Sequence, residues 1–203
     1  MSLVSGCDGD CQDCHIEPRP PRFGAFDDGT TLSVTACGDT SFAGCGNIPT
    51  TATIDGIVHD VPAWLGSGDD PVVDASYDRR LDVPHPASAH VSITNVETVD
   101  FDLHDAFAFT PPPSDVSRAS DLVLAFEHLP RLVVAIELRT LCPGYTSPDV
   151  SQGTSTATGG TIAWSDLQGA TCMHDLYVIQ SSITDAPEIT NARYVHAQFT
   201  SRP

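Results

Sequence analysis

Apolar and polar residues alternate along most of the chain in short runs, the period-two pattern of half-buried β-strands. Residues 31–37 alternate around Leu32, Val34 and Ala36, and residues 51–58 do so around Ile54 and Ile57. In the longer run 90–109, Val99, Phe101 and Leu103 share one face. Leu122, Leu124 and Phe126 share another, as do Leu132, Val134, Ile136 and Leu138. His128-Leu129-Pro130 between these last two runs reads as a hairpin connection. Further strand-like runs cover residues 161–164, 176–183 and 193–200. Only residues 117–128 also fit a helix, capped by Ser120 or Asp121, with Leu122, Ala125 and Phe126 at helical spacing.

Pro111-Pro112-Pro113 and the Thr/Ser/Gly tract over 146–160 read as loops. About eight antiparallel strands separated by turns predict an all-β fold, a β-sandwich or small β-barrel, over residues 31–203. Residues 1–30 read instead as an extended, acidic, Cys- and Pro-rich leader, because Pro18, Pro20 and Pro21 favour a semi-rigid tether. No stretch approaches the roughly 20 apolar residues that span a bilayer as a helix.

Charge narrows the partners. The 203 residues carry a formal charge of −18, with nine Arg, no Lys, 22 Asp and five Glu. Such a surface repels phosphate backbones, so nucleic acid is not expected as a partner. Asp favours turns and caps where Glu favours helix interiors, which fits a loop-rich β protein. A GC-rich genome and salt adaptation both account for the missing Lys.

The most specific chemistry lies near the N-terminus. Val4-Ser5-Gly6-Cys7 resembles the end of a bacterial envelope lipoprotein signal, in which a Cys after small residues becomes the acylated first residue. That resemblance implies lipidation of Cys7, membrane contact only through the lipid anchor, and a location in the periplasm or at the cell surface. Only Met1-Ser2-Leu3 precede Val4, so either the sequence is read from near its mature end or Cys7 is an ordinary cysteine. Cysteine parity favours the anchor: without Cys7, six cysteines remain, and sequence proximity pairs them Cys11–Cys14, Cys37–Cys45 and Cys142–Cys172.

Cys11-Gln12-Asp13-Cys14-His15 also spells C-x-x-C-H, the attachment pattern of c-type haem. In that alternative Cys11 and Cys14 hold the porphyrin, His15 binds the iron, and Met173 or His174 supplies the second axial ligand, giving a mono-haem electron-transfer protein. The prolines after His15 stop the helix that usually carries the motif. Cys7, Cys11 and Cys14 have the spacing of a radical SAM cluster but lack the alternating strands and helices. Cys7, Cys11, Cys14 and His15 are poorly spaced for zinc, and Asp8, Asp10 and Asp13 form no complete calcium loop.

In the body no metal site is assigned and no catalytic residue is named. His59-Asp60, His104-Asp105 and His174-Asp175 repeat a pair, but neighbours on a strand point to opposite faces and do not converge on an ion. His85 and His90 flank a Pro-containing turn. There is no G-x-S-x-G, H-E-x-x-H, P-loop or dinucleotide fingerprint. Trp64, Trp164 and the four Tyr are candidates for a sugar-binding face, although Trp64 reads first as core. The sequence therefore predicts an exported or cell-surface lipoprotein without a cofactor, acting as a binding or structural module whose protein or carbohydrate ligand is unknown, with a mono-haem c-type cytochrome as the alternative.

Overall fold

The computed structural model describes residues 22–38, 48–64, 77–95, 97–128, 134–144, 148–156, 158–167, 172–185 and 188–202. These form fifteen strands and no α-helix, only a 3-10 turn at Trp164–Asp166. The all-β expectation holds, while the count of about eight strands does not. Two runs read as single strands divide into two and three.

Residues 51–58 are the clearest case. Asp55 and Gly56 both take positive φ, 53° and 75°, the conformation of a two-residue type I′ hairpin. The chain therefore folds back between β3 (Thr51–Ile54) and β4 (Ile57–Asp60). Ile54 is buried, but Ile57, beyond the turn, lies 60% exposed. The run 90–109 likewise divides into β6 (His90–Thr94), β7 (Thr98–Asp102) and the short β8 (Ala108–Phe109). Strands β4, β3, β6 and β7 make a four-stranded sheet in that order.

The other sheet has eleven strands and is not closed. Its first part is β1 (Arg22–Asp27), β2 (Thr31–Gly38) and β5 (Tyr77–Pro84). Leu32, Val34 and Ala36 of β2 face inward as the alternation predicts, and meet Ala52, Ile54, Val91, Ile93 and Val99 of the smaller sheet. This is sandwich packing, two sheets with their apolar faces together. Strand β1 corrects the boundary of the leader, which the sequence placed at about residue 30. Phe23, Ala25 and Phe26 are buried, and β1 lies between two strands. Gly24 has no room for a side chain, since a Cβ would meet Thr35 Oγ1 and the Phe26 ring.

The second part is formed by β9 (Asp115–Ser117), β10 (Leu122–His128), β11 (Val134–Leu141), β12 (Asp149–Ser155) and β13 (Gly159–Ile162). Residues 117–128 contain a strand, not the helix that their spacing also allowed. Leu124 and Phe126 are buried in a second core with Ile136, Leu138, Ile162, Leu176 and Val178. The expected hairpin between β10 and β11 does not form: β10 pairs with β13 and β8, and β11 with β12 and β14. Residues 129–133, which include Leu132, are outside the described residues.

Two long strands join the cores, β14 (Met173–Asp185) and β15 (Glu188–Arg202), paired antiparallel over their whole length. Their Leu176, Val178 and Phe199 belong to the second core, whereas Ile189 packs against the first. β15 also accepts β1 and β9 in parallel, so the sheet is mixed and not purely antiparallel. A Cys142–Cys172 disulfide ties the end of β11 to the start of β14.

Between the cores Arg193 of β15 stands opposite Asp27 of β1 and donates from Nη1 to Asp27 Oδ2. Asp27 is 1% exposed, and it also accepts from the Gly29 amide at 2.8 Å and pairs with His85 Nδ1 at 3.1 Å. Removing one member of a buried ion pair strands the other. Arg193→Met is therefore expected to lower unfolding free energy in urea by about 3 kcal/mol or more, and Asp27→Leu/Arg193→Met to recover most of that loss.

Candidate functional site

The inner row of β14 runs His174, Leu176, Val178, Gln180, Ser182. It is apolar where it crosses the second core and turns polar at Gln180. The facing row of β15 does the same: Val195, Ala197 and Phe199 give way to Arg193 and Asn191. Pairing sets Gln180 opposite Arg193 and Ser182 opposite Asn191. A polar seam thus crosses the sheet between the two cores, from Asp27 through Arg193 to Gln180.

The segment after β7 closes over this seam. Asn191 Nδ2 donates to the Asp102 carbonyl at 2.7 Å. His104 Nε2 lies 3.1 Å from the Asn191 carbonyl and 3.1 Å from Ser182 Oγ. A carbonyl only accepts, so Nε2 bears the proton and the lone pair is on Nδ1. His104 Nε2 therefore cannot take a proton from Ser182, and the contact is not an activated serine of the Ser-His type.

A cleft of about 700 Å³ opens here, lined by residues 88–90 and 102–105 together with Gln180 and Ser182. At its rim His90 Nδ1 pairs with Asp102 Oδ1 at 3.0 Å, with Asp100 3.8 Å from Nε2. Two buried carbonyl oxygens in the seam, Gln180 Oε1 and Asn191 Oδ1, have no hydrogen-bond partner. Gln180 is 1% exposed. Leaving such a group unsatisfied costs about 1–3 kcal/mol. Among the described residues no group of three or more His, Cys, Asp or Glu is placed to hold a metal ion.

Cys7, Cys11, Cys14, His15 and Cys45 lie outside the described residues. Of the proposed disulfides, Cys142–Cys172 is present, and Cys37 is disulfide-bonded. His174, the candidate axial ligand, is fully buried and stacked on Phe199 at 4.9 Å. Both its ring nitrogens are engaged, Nδ1 with Thr140 Oγ1 at 2.9 Å and Nε2 with Ser201 Oγ at 2.8 Å. Binding a metal would cost one of these bonds; Met173 next to it is partly exposed. Asp175 points to the other face of β14, where it accepts from Gln198 and pairs with His196. The His174-Asp175 pair thus diverges, as strand geometry requires. Trp64 is half-buried with Arg80 over its ring at 5.2 Å, whereas Trp164 is exposed.

The sequence reading noticed His104 and His90 but missed Gln180, Asn191, Ser182 and Arg193. Their signal was the interruption of two otherwise apolar alternating rows.

Fold and site together define an all-β, sandwich-like, disulfide-bonded protein with an open cleft beside a polar seam. No protein-family model and no curated protein matches the chain. Among solved structures, a chain of a cytokine receptor complex is 10% identical over 88% of this chain and 94% of that one, with a TM-score of 0.31. The chicken CNTN1 FN1-FN3 domains are 10% identical over 92% of this chain and 64% of that one, with a TM-score of 0.26. Titin-A168169 is 9% identical over 91% and 97%, with a TM-score of 0.24. Likeness at TM-scores this low carries no argument about fold or activity.

Burial holds both His104 and His174 below the ordinary histidine value of 6.5; Asn191 and Asp105 oppose the shift at His104, and Asp175 opposes it at His174. The unfolded chain then binds protons that the folded one refuses, so stability rises with pH through this window. Unfolding free energy in urea is expected to fall as pH is lowered from about 7.5 to about 6. His174→Asn should flatten that slope, and a slope of opposite sign would contradict the assignment.

Proposed function

We propose that the chain is an exported bacterial envelope lipoprotein whose β body acts as a binding module. Cys7 carries the lipid, the residues between it and β1 form the tether, and the cleft between the two cores receives the ligand. The observation that carries the binding role is that Gln180, whose buried side-chain carbonyl has no partner, lines an open cleft. Protein interiors rarely keep such a group without a use for it. The Cys142–Cys172 bond supports an oxidising compartment outside the cytoplasm. The acidic surface, with its charge of −18, suits a soluble domain held near a membrane and apart from nucleic acid.

Expression of the native full-length gene in a bacterial host tests the anchor. The protein is expected in the membrane fraction, with a diacylglyceryl group on Cys7 by mass spectrometry, and Cys7→Ser is expected to release it to the soluble fraction. An unmodified Cys7 behind an uncleaved N-terminus would remove the anchor from the account.

A further inference from the structure

We propose that residues 85–89 form a strap along one wall of the cleft, latched by the Asp55 carboxylate and able to open without unfolding either core. The motion of the strap needs no ligand. Its use as a gate rests on the reading of the cleft as a ligand site.

The strap crosses from one sheet to the other, from the end of β5 at Pro84 to the start of β6 at His90. Ser88 and Ala89 line the cleft together with Gln180 and Ser182. Of residues 85–89 only Pro86 is buried. Little apolar packing therefore holds the segment down, the condition under which a segment opens by itself. Its middle is held by a single side chain from the β3–β4 turn. Asp55 Oδ2 accepts from the Ala87 amide at 2.9 Å, and Oδ1 from the Ser88 amide at 2.6 Å. These two bonds hold the Asp55 carboxyl below its ordinary value.

The ends are held by the backbone. The His85 amide donates to the Thr30 carbonyl at 2.8 Å, and the Leu103 amide to the Ala89 carbonyl at 2.7 Å. His85 Nδ1 also meets Asp27 at 3.1 Å. Pro84 and Pro86 fix φ where the chain enters the strap, so it swings as one piece instead of fraying. The latch is separable from the turn that carries it. Asp55 has a φ of 53°, and Gly-Gly suits the same type I′ hairpin. Asp55→Gly thus removes the carboxylate and keeps the turn, whereas Asp55→Asn keeps one acceptor oxygen without the charge.

Native-state amide hydrogen exchange of the full chain, at fixed pH and temperature, tests the strap. In Asp55→Gly, exchange at Ala87 and Ser88 is expected to rise about tenfold or more. His85 and Leu103 should accelerate with them, because their bonds break when the strap leaves as a unit. Asp55→Asn should fall between, and the amides of β11 and β14 should keep their wild-type rates in both variants. Relaxation by a neutral gadolinium chelate should increase at Ser182 and His104 in Asp55→Gly as the cleft widens. Unchanged rates at Ala87 and Ser88, or acceleration confined to those two, would overturn the strap. So would a parallel rise across β11 and β14, which would make Asp55 a support of the whole fold. Unchanged relaxation at Ser182 and His104 would overturn the gate. No ligand enters these measurements, so their failure is distinct from a failure of the cleft to bind.

Discussion

The buried ion pair between Asp27 and Arg193 lies where the parts of the molecule meet. Asp27 ends β1, the first strand of the described chain, and Arg193 is in β15, the last. Their strands run parallel, so no hairpin turn fixes the register between them, and the pair supplies a specific contact where a slip of one residue would turn each side chain to the wrong face. β15 in turn pairs along its length with β14, and the two strands carry residues of both cores. Much of the apolar packing on either side is therefore referred to one hairpin whose midpoint is polar.

That polar midpoint divides the inner face of the hairpin. Phe23, Leu32 and Ile93 pack on one side of it, and Ile136, Leu176 and Phe199 on the other. Burying each such side chain stabilises the fold by roughly 1.5–3 kcal/mol, so a continuous apolar row through residues 180, 182, 191 and 193 would have been the more stable choice. Asp27 offsets the charge of Arg193 through Nη1, although Arg193 Nε has no partner, and Ser182 meets His104. Gln180 Oε1 and Asn191 Oδ1 are not balanced. Functional sites are the places where chains keep groups that folding alone disfavours, and here those groups border an open cleft.

Much of the fold was legible in local pattern. The alternation of Leu32, Val34 and Ala36, and of Val134, Ile136 and Leu138, reports which face is buried, because strand periodicity is a purely local property. The Asp55-Gly56 dipeptide is equally a local turn signal, but Ile54 and Ile57 on either side of it continue the apolar spacing of a single run. Pairing was not legible. That β10 joins β13 and not β11, and that β1 joins β15 across the whole chain, depends on contacts between residues far apart in sequence. The site had the same difficulty. His104 stands out by type, but its partners on β14 and β15 are ordinary polar residues until the register sets Ser182 opposite Asn191. The N-terminal cysteine motifs were the loudest feature of the sequence and speak to export, while the cleft depends on residues that no motif marks.

Whether Gln180 serves the fold or a ligand is decided by replacing it. Methionine has nearly the same length and shape; two of the neighbours on the sheet, Val134 and Val178, are apolar, and the third, Arg193, is held by Asp27. If the amide is kept for binding, Gln180→Met removes an unsatisfied buried carbonyl and should leave urea unfolding free energy unchanged or raised, by up to about 1–3 kcal/mol, with the native fold intact. A loss of stability of about 2 kcal/mol or more would mean that the amide is structural, and would contradict the cleft as the working part of the molecule.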